Sequence, residues 1–278
     1  MQPFVKWAGG KRQLLPTITS HLPHTYNSYY EPFIGGGALL LELQNENSTI
    51  SDNNKILIDT YKYIRDGLNE LIPLLDKLQE EHNILNDKEK VKEYYYDRRT
   101  EFNDLILNEE SSLRRSALFL YLNKACFNGL FRVNKKGLFN VPSNQKININ
   151  IYDKNNLEEI SKYLKNVNIF HQDFEITARL AQRGDLVFFD SPYAPLNPTS
   201  FDSYTKEGFT IEEHQRLAKT FKDLSEQGVY CILTNHNTEF IRDLYEGFNL
   251  HEVDVKRMIN RDSSKRTGTE VIITNFER

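Results

Sequence analysis

The chain has little cysteine and no long apolar run. Its two cysteines, Cys126 and Cys231, lie far apart in 278 residues and in apolar surroundings. Such thiols do not form a disulfide framework, and neither they nor the seven histidines have the spacing of a metal site. No stretch reaches the roughly 20 apolar residues of a membrane-spanning helix, and the first residues lack a signal segment. The composition therefore predicts a cytoplasmic protein with buried, reduced thiols and no metal.

Acidic residues are missing from one long window. Between residues 111 and 152 there is no Asp or Glu, although the whole chain carries a net charge of −4. This window contains seven cations: Arg114, Arg115, Lys124, Arg132, Lys135, Lys136 and Lys146. A run of one charge is often only a solvated face. In an acidic chain, however, so long an acid-free window favours a surface that faces the phosphates of a nucleic acid.

Alternating strand and helix patterns near both ends of the chain predict an α/β sheet. Strands are predicted at 28–30, 49–52, 167–170, 186–189 and 229–234, with an antiparallel pair at 253–255 and 271–274. Helices are predicted at 38–43, 174–182, 211–227 and 238–245. Residues 55–128 read instead as long helices with a break at 83–87, and 131–141 as a hairpin turning at Gly137. The polar stretch 143–150 is typical of a linker.

The most informative motif is the tetrapeptide Asp190-Ser191-Pro192-Tyr193, which follows the apolar run at 185–189. It puts a carboxylate, a main-chain carbonyl and an aromatic ring on one tight turn. Asp190 and the Ser191 carbonyl can accept the two N–H bonds of an amino group on a flat ring, while Tyr193 stacks on that ring. Two fixed acceptors free the nitrogen lone pair for in-line attack on a sulfonium methyl group, so neither a metal nor a covalent intermediate is required.

A second motif, EPFIGGGA at 31–38, is suited to holding the methyl donor. Glycines after Phe33 permit unusual backbone angles and a close approach of ligand to main chain. Gly35 and Gly37 have the spacing of the first two glycines of a dinucleotide-binding loop. Leu40 stands where the third belongs, which disfavours a nicotinamide-dependent oxidoreductase.

Acidic and aromatic residues elsewhere complete this candidate pocket. Asp52 ends the second predicted strand, where an acid commonly accepts hydrogen bonds from a ribose; capping of the next helix is the alternative interpretation. Asp173 follows the third strand and can accept a bond from an adenine amino group while Phe174 packs on the base; helix capping is an almost equal interpretation. Trp7 and Lys11 flank a flexible turn. A single Trp is more often core than ligand contact, but the neighbouring lysines and glycines favour binding.

Five motifs occur in the order of a known family: KWAGGK at 6–11, EPFIGGGA at 31–38, FNGLFRVN at 127–134, FNVP at 139–142 and DSPY at 190–193. The chain resembles the Dam family of DNA adenine-N6 methyltransferases over nearly its whole length. The resemblance implies a Rossmann-like S-adenosylmethionine-dependent methyltransferase sheet with an inserted helical and β-hairpin DNA-recognition domain. It assigns residues 1–55 and 148–278 to the catalytic domain and 56–147 to the insertion.

The resemblance also implies residue roles. The residues expected to bind S-adenosylmethionine are Trp7, Lys11, Phe33, Gly35, Gly37, Asp52, Asp173, Phe174 and Asp190. The catalytic motif is Asp190, Ser191, Pro192 and Tyr193, with Tyr193 on a flipped-out adenine. The residues expected to contact duplex DNA are Lys124, Phe127, Asn128, Leu130, Arg132, Asn134, Lys135, Lys136 and Pro142. Within this set Arg132 takes the role of the arginine that reads guanine in GATC, and Phe127 with Asn128 that of a wedge in the duplex.

Two positions depart from the family pattern. The family usually has Asp-Pro-Pro-Tyr, and Ser191 replaces the first proline. Serine also supplies a main-chain carbonyl but lacks the rigid ring, so we expect reduced turnover. Residues 143–145 are Ser-Asn-Gln, where aromatic and basic residues are more usual, and this affects the outer part of sequence recognition.

Several alternatives remain open on sequence grounds. An N4-cytosine DNA methyltransferase uses the same turn and cofactor pocket, but its motif usually begins with Ser, so Asp190 favours adenine. A DNA-binding homologue weakened in catalysis by Ser191 is the alternative from another class. Methylation of RNA or of a protein glutamine fits an insertion suited to duplex DNA less well. The sequence also leaves open a partnership with a restriction endonuclease that cuts the same site.

Overall fold

The computed structural model describes residues 1–11, 13–196, 209–256 and 267–277. The α-helices within these ranges are α1 (Leu15–Ser20), α2 (Ala38–Leu43), α3 (Lys55–Asp66), α4 (Leu68–Asn83), α5 (Lys88–Leu107), α6 (Leu113–Ala125), α7 (Lys154–Leu164), α8 (Phe174–Ala178), α9 (Ile211–Glu226) and α10 (Glu239–Leu244). The strands are β1 (Tyr29–Glu31), β2 (Ser48–Asp52), β3 (Val167–His171), β4 (Leu186–Phe189), β5 (Tyr230–His236), β6 (Asn249–Lys256) and β7 (Thr267–Thr274). No helix in this described part of the chain is long and apolar enough to cross a membrane.

The predicted α/β sheet is confirmed. Seven strands form one sheet in the order β3-β2-β1-β4-β5-β7-β6. Strands β1, β2, β4 and β5 are parallel, whereas β7 is antiparallel to both β5 and β6. Every residue of β4 is buried, as expected for a parallel strand covered on both faces. The strand order reverses between β1 and β4, the point beside which open α/β sheets bind their ligands at the carboxyl ends of the strands.

The chain divides into two compact units. The first comprises Met1–Gly10, Gly35–Gln44 and Asn54–His171, and the second comprises Lys11–Ile34, Asn45–Asn53 and Gln172–Arg278. The first unit has an aromatic core on the helices α3, α5 and α6, whose fully buried rings are Tyr61, Tyr95, Phe102, Phe119 and Tyr121. In the second, Val187, Phe189 and Ile273 of the sheet pack with Leu217 and Phe221 of α9. The predicted boundaries at 55 and 147 are functional assignments and stay a prediction.

Helix α8 is shorter than predicted. It ends at Ala178 instead of residue 182, because the backbone tightens into turns in which the Leu180 and Ala181 N–H groups donate to residues three positions back. Asp185 then stops the chain from continuing as a helix, since its Oδ2 accepts from the Gln182 N–H at 2.8 Å.

The predicted hairpin at 131–141 forms without regular strands. One antiparallel bridge joins Val133 to Phe139, and Gly137 has the expected positive φ, 75°. The Asn134 side chain accepts from the Lys136 and Leu138 N–H groups at 2.9 and 3.1 Å. These bonds replace part of the strand ladder, so residues 131–141 form a closed loop. We call residues 127–142, which include this loop, the recognition loop.

The predicted linker at 143–150 is attached to α4. Asn83 Nδ2 donates to the Ile149 carbonyl and Asn83 Oδ1 accepts from the Ile149 N–H, both at 3.0 Å. His82 Nε2 lies 2.8 Å from the Lys146 carbonyl. The polar composition of this stretch therefore serves hydrogen bonding to a helix.

Candidate active site

Polar residues follow the parallel strands of the second unit where each strand ends. Tyr30 of β1 lies opposite Val187 of β4, and Phe189 of β4 lies opposite Leu233 of β5. Asp190 comes directly after β4, and Thr234 follows Leu233. Because parallel strands end at one edge of a sheet, their terminal side chains converge there.

Asp190 is held by two groups. Lys11 Nζ lies 2.7 Å from its Oδ1, and the Thr234 hydroxyl donates to the same oxygen at 3.0 Å. The Lys11 side chain is only 6% exposed and that of Asp190 20%. Burial raises the pKa of Asp190 above its ordinary value, whereas Lys11 and Thr234 oppose this rise and Glu270 adds to it. The carboxylate is therefore fixed in place and keeps a high proton affinity for an aspartate.

Tyr193 is restrained at its hydroxyl and over its ring. The hydroxyl donates to Glu270 Oε2 of β7 at 2.8 Å. Lys11 Nζ lies 4.4 Å from the ring centroid, a cation–π contact, and the His236 ring packs edge-on at 4.9 Å. Burial, followed by the charges of Asp190 and Glu270, raises the pKa of Tyr193 well above its ordinary value, so the phenol stays protonated.

The residue after Tyr193 is clamped by β5. The Ala194 N–H donates to Asn235 Oδ1 at 2.9 Å, and His236 Nδ1 lies 2.7 Å from the Ala194 carbonyl, which makes this ring nitrogen the donor. Sequence reasoning missed Thr234, Asn235 and His236, although they continue an apolar strand in the same way as Asp190 does. No sequence signal points to Glu270.

Ser191 carries an unusual buried hydroxyl. The residue is 2% exposed, and its Oγ has no hydrogen-bond partner within the described part of the chain. A buried polar group left unpaired costs about 1–3 kcal/mol. Ser191, which stands where the family usually has proline, therefore also lowers the stability of the fold at this turn.

An aromatic group lies beside the end of β1. The Phe33 ring stacks on Phe174 with centroids 5.1 Å apart, and Phe209 contacts both rings. The Arg216 guanidinium of α9 lies 4.3 Å from the centroid of Phe174. Phe174 is buried between these neighbours, so the half-buried Phe33 is the one of the two predicted cofactor contacts that still presents apolar surface.

Asp173 is both a helix cap and an ion-pair partner. Its Oδ1 accepts from the Glu175 N–H at 2.9 Å, as the capping interpretation predicts. Arg216 also donates to both of its oxygens, at 2.7 and 2.9 Å, and holds the pKa of this carboxyl below its ordinary value. A carboxylate has about four acceptor positions, so these three bonds leave one on Oδ2.

The capping interpretation of Asp52 is wrong. The N-cap of α3 is Asn54, whose Oδ1 accepts from the Leu57 N–H at 3.1 Å. Asp52 is the last residue of β2 and is half-buried.

The glycine loop of the first unit needs its glycines. Gly35 and Gly37 have φ of 46° and 67°, in the left-handed region. A Cβ on Gly35 would also come within 2.8 Å of Trp7 Cδ1. Trp7 in turn stacks on Phe131 at 5.5 Å. The single tryptophan therefore covers the glycine loop and packs against the recognition loop at once.

The recognition loop exposes most of the residues predicted to contact DNA. Those at the surface are Phe127, Asn128, Arg132, Asn134, Lys135, Lys136 and Pro142, while Lys124 and Leu130 are half-buried. Phe127 is 53% exposed, which is unusual for a large apolar ring. Arg132 Nε donates to Asn140 Oδ1 at 2.8 Å, so this bond aims the guanidinium while its two terminal nitrogens remain as donors.

Two cations of the acid-free window do not face phosphates. Arg114 pairs with both oxygens of Glu101 at 2.6 and 2.9 Å. Arg115 is 3% exposed and pairs with Asp59. The expectation that the whole window forms a phosphate-facing surface is therefore wrong for these two residues, because helices α3 and α5 supply the acids that the window lacks.

Residues 7–259 match the model of the D12 class N6 adenine-specific DNA methyltransferases. The chain belongs to this family. As a D12 methyltransferase it is an adenine-specific DNA methyltransferase, and its family implies S-adenosylmethionine as the methyl donor. The resemblance to the Dam family is confirmed, and family membership decides against the N4-cytosine alternative.

Named relatives of this D12 methyltransferase align over their full length. The type II methyltransferase M1.LlaDCHI of Lactococcus lactis subsp. cremoris is 43% identical, over 99% of this chain and 96% of its own. M.MjaIII of Methanocaldococcus jannaschii, also a type II methyltransferase, is 44% identical over 99% of both chains. The DNA adenine methylase of Escherichia coli K12 is 30% identical over 99% of this chain and 95% of its own.

Proposed function

We propose that this D12 methyltransferase methylates N6 of an adenine flipped out of duplex DNA, within the sequence GATC. The observation that carries the proposal is the anchored carboxylate of Asp190, which Lys11 and Thr234 hold at the carboxyl end of β4. Its neighbour Tyr193 is fixed by its own hydroxyl bond. An acceptor and a stacking ring on one rigid turn are what an extruded amino-bearing base requires.

The residues of the second unit fit the adenosyl part of S-adenosylmethionine. Asp173 has one acceptor position left after its bonds to Arg216 and Glu175, which suits a single N–H of an adenine amino group. The half-buried Phe33 offers apolar surface to the base, with Phe174 packed behind it, and Asp52 offers a carboxylate to the ribose. We further propose Lys11 and Asp190 as contacts of the methionine part.

Gly35, Gly37 and Trp7 are proposed as further cofactor contacts, as the family resemblance implies. Gly35 and Gly37 hold backbone angles that only glycine adopts readily, in a loop where a Cβ would strike Trp7. Such a bare backbone allows a ligand to approach closely. Trp7 is included because it lines this loop.

The protein's part in methyl transfer is to hold the nucleophile. When bound, S-adenosylmethionine supplies an electrophilic methyl group on a sulfonium. Asp190 and the Ser191 carbonyl each accept one N–H of the target amino group, and Tyr193 stacks on the ring. Held in this way, the nitrogen lone pair would be directed at that methyl group, and the proton that the amino group loses would leave along its hydrogen bond to Asp190. Pro192 restricts the turn between the second acceptor and the ring.

Residues 56–147 are proposed to read the DNA, with residues 1–55 and 148–278 performing catalysis. The bond to Asn140 supports Arg132 as a bidentate partner of guanine. The exposed ring of Phe127, next to Asn128 at φ 57°, supports a wedge. Lys124, Lys135 and Lys136 would contact phosphates, and Leu130, Asn134 and Pro142 complete the surface.

A plasmid grown without adenine methylation tests the proposal. It is incubated with enzyme and S-adenosylmethionine and cut with two nucleases, one that requires methylated GATC and one that methylated GATC blocks. We expect the first to cut and the second to fail. Continued cutting by the blocked nuclease would refute the GATC assignment, while incorporation of tritiated methyl groups would still report a methyltransferase with another target.

We also propose that the enzyme protects DNA against a restriction endonuclease of the same specificity. The relatives at 43% and 44% identity carry the name type II methyltransferase, which supports this role. Co-expression should make host DNA resistant to a GATC-cutting endonuclease, and DNA that remains sensitive would argue against it.

A further inference from the structure

We propose that Glu270 of β7 is a positioning residue for base flipping, because it fixes the ring that stacks on the extruded adenine. The inference rests on the function proposed above and adds a residue to it. Glu270 is 77 residues from Tyr193 in the chain, and its Oε2 accepts from the Tyr193 hydroxyl at 2.8 Å.

Two restraints on Tyr193 come from a single cross-strand pair. Glu270 of β7 lies directly opposite His236 of β5 in the antiparallel ladder. Residues opposite each other in such a ladder project from the same face of the sheet. Glu270 therefore holds the hydroxyl of Tyr193, while the His236 ring packs edge-on against the phenol at 4.9 Å.

His236 itself is tied to the catalytic turn. Its Nδ1 lies 2.7 Å from the Ala194 carbonyl, and the neighbouring Asn235 accepts from the Ala194 N–H at 2.9 Å. The bond from the Tyr193 hydroxyl to Glu270 thus belongs to a set of hydrogen bonds that join the turn to strands β5 and β7. It is the one at the far end of the Tyr193 side chain. Without it, the phenol would keep its contacts with His236, Lys11 and Thr234 but would lose the bond to β7 that fixes its far end.

A flat ring must keep its orientation to stack on a base. Lys11 Nζ lies over the Tyr193 ring, 4.4 Å from its centroid. A cation over a ring does not fix the direction in which the ring points within its own plane. A hydrogen bond at the hydroxyl fixes that direction. Glu270 acts through Tyr193, so its removal should loosen the stacking of Tyr193 on the flipped base and leave cofactor binding unchanged.

The test compares Glu270→Ala, Glu270→Gln, Tyr193→Phe and the double variant Glu270→Ala/Tyr193→Phe. Methyl transfer is measured on an unmodified GATC duplex, and base stacking is measured on a second duplex that carries 2-aminopurine at the target adenine. This base lacks the 6-amino group, and its fluorescence is quenched by stacking. Because a hydrogen bond to a charged group is stronger than one between neutral groups, we expect Glu270→Ala and Tyr193→Phe each to lower kcat/KM for DNA by about tenfold or more. Both should raise the fluorescence of the flipped base. Glu270→Gln keeps an acceptor oxygen and should recover much of the loss.

The double variant and a matched control decide the interpretation. If the two groups act through one bond, the double variant is no worse than either single variant. Glu252→Ala, a change on the adjacent strand β6 at a residue paired with Arg242, should leave all readouts unchanged. Wild-type fluorescence and kcat/KM in Glu270→Ala, or multiplied losses in the double variant, would overturn the proposal.

The failure of the proposed function would look different. It would appear as a wild-type enzyme that transfers no methyl group to DNA and gives no fluorescence change with the 2-aminopurine duplex. Should Glu270→Ala fail to fold, as seen from its thermal transition, Tyr193→Phe and Glu270→Gln carry the test. In that case, wild-type fluorescence with Tyr193→Phe overturns the inference. Raised fluorescence with Tyr193→Phe, together with wild-type fluorescence with Glu270→Gln, supports it.

Discussion

The turn at residues 190–194 and the recognition loop are both predicted from sequence motifs, yet they are held in place differently. The turn at 190–194 is held by side chains of β5 and β7 and by the largely buried Lys11–Asp190 pair. The recognition loop is mostly exposed and its tip is closed by its own hydrogen bonds, while Tyr95 and Asn103 of α5 hold its base at Val141 and Phe139. A group that aligns a reacting atom must be held before the substrate arrives, whereas groups that read DNA must present open donors to the duplex.

The largest effect should come from the turn itself. We expect Asp190→Ala to lower methyl transfer by about 10²–10³-fold, because it removes a preorganised acceptor at the reacting nitrogen. The measurement is single-turnover transfer of tritiated methyl groups to a GATC duplex, with cofactor affinity measured in parallel. Activity within tenfold of wild type would show that the anchored carboxylate is not central.

The recognition loop should respond in specificity. Loss of a bidentate contact costs about 1–3 kcal/mol of discrimination against the wrong base, so Arg132→Ala should relax the requirement for guanine. A GATC duplex with 7-deazaguanine lacks one acceptor of that contact; it should slow the wild type and leave Arg132→Ala little changed. Equal slowing of both proteins would place the guanine contact elsewhere.

Charge reversal in the same loop provides the matched control for Arg132. Lys135→Glu and Lys136→Glu should weaken binding to all DNA sequences alike and reduce the salt dependence of the affinity, because phosphate contacts release counterions. Arg114→Ala, which breaks the pair with Glu101, should leave that salt dependence unchanged. An unchanged salt dependence in the lysine variants would contradict their placement against phosphates.

The pH dependence tests the electrostatics of the turn. The charged and titratable groups around Asp190 are Lys11, Tyr193, Glu270 and His236. Burial and Glu270 raise the pKa of Asp190, and only the carboxylate accepts both an N–H and the Lys11 bond. Activity should therefore fall as the pH drops through this raised pKa, above the range of an ordinary aspartate. Glu270→Gln removes one of the raising charges, so the acid limb of kcat should move to lower pH. An acid limb that moves to higher pH in Glu270→Gln would refute the assignment of this limb to Asp190.

The smallest effects are expected at Ser191. Ser191→Ala removes the unpaired buried hydroxyl and should stabilise the protein by about 1 kcal/mol, measured as a rise in the free energy of unfolding. Ser191→Pro should in addition stiffen the turn and raise turnover a few-fold, because the proline ring restricts φ and holds the carbonyl acceptor more firmly. Slower methyl transfer in Ser191→Pro would show that the turn needs the freedom of serine.

The sequence by itself determined which residues could act and roughly where they lie. Apolar runs that end in Asp52 and Asp190 mark buried parallel strands and their carboxyl ends, because strand period and burial are local properties. The left-handed conformation of Gly35 and Gly37 could also be expected, because glycine adopts it readily. The exposure of Phe127 could be expected from its place in the family motif. The hairpin character and the positive φ of Gly137 were likewise predicted, although side-chain bonds replaced the strands.

Only the tertiary structure decided which partner each of these residues has. Glu270 on Tyr193 and Arg216 on Asp173 come from segments 77 and 43 residues away. Asn54 rather than Asp52 caps α3, and Glu101 and Asp59 neutralise two cations of the acid-free window. Strand register and helix packing select these partners. Register and packing depend on how the whole fold buries its apolar surface, so no local pattern of residues encodes the partners.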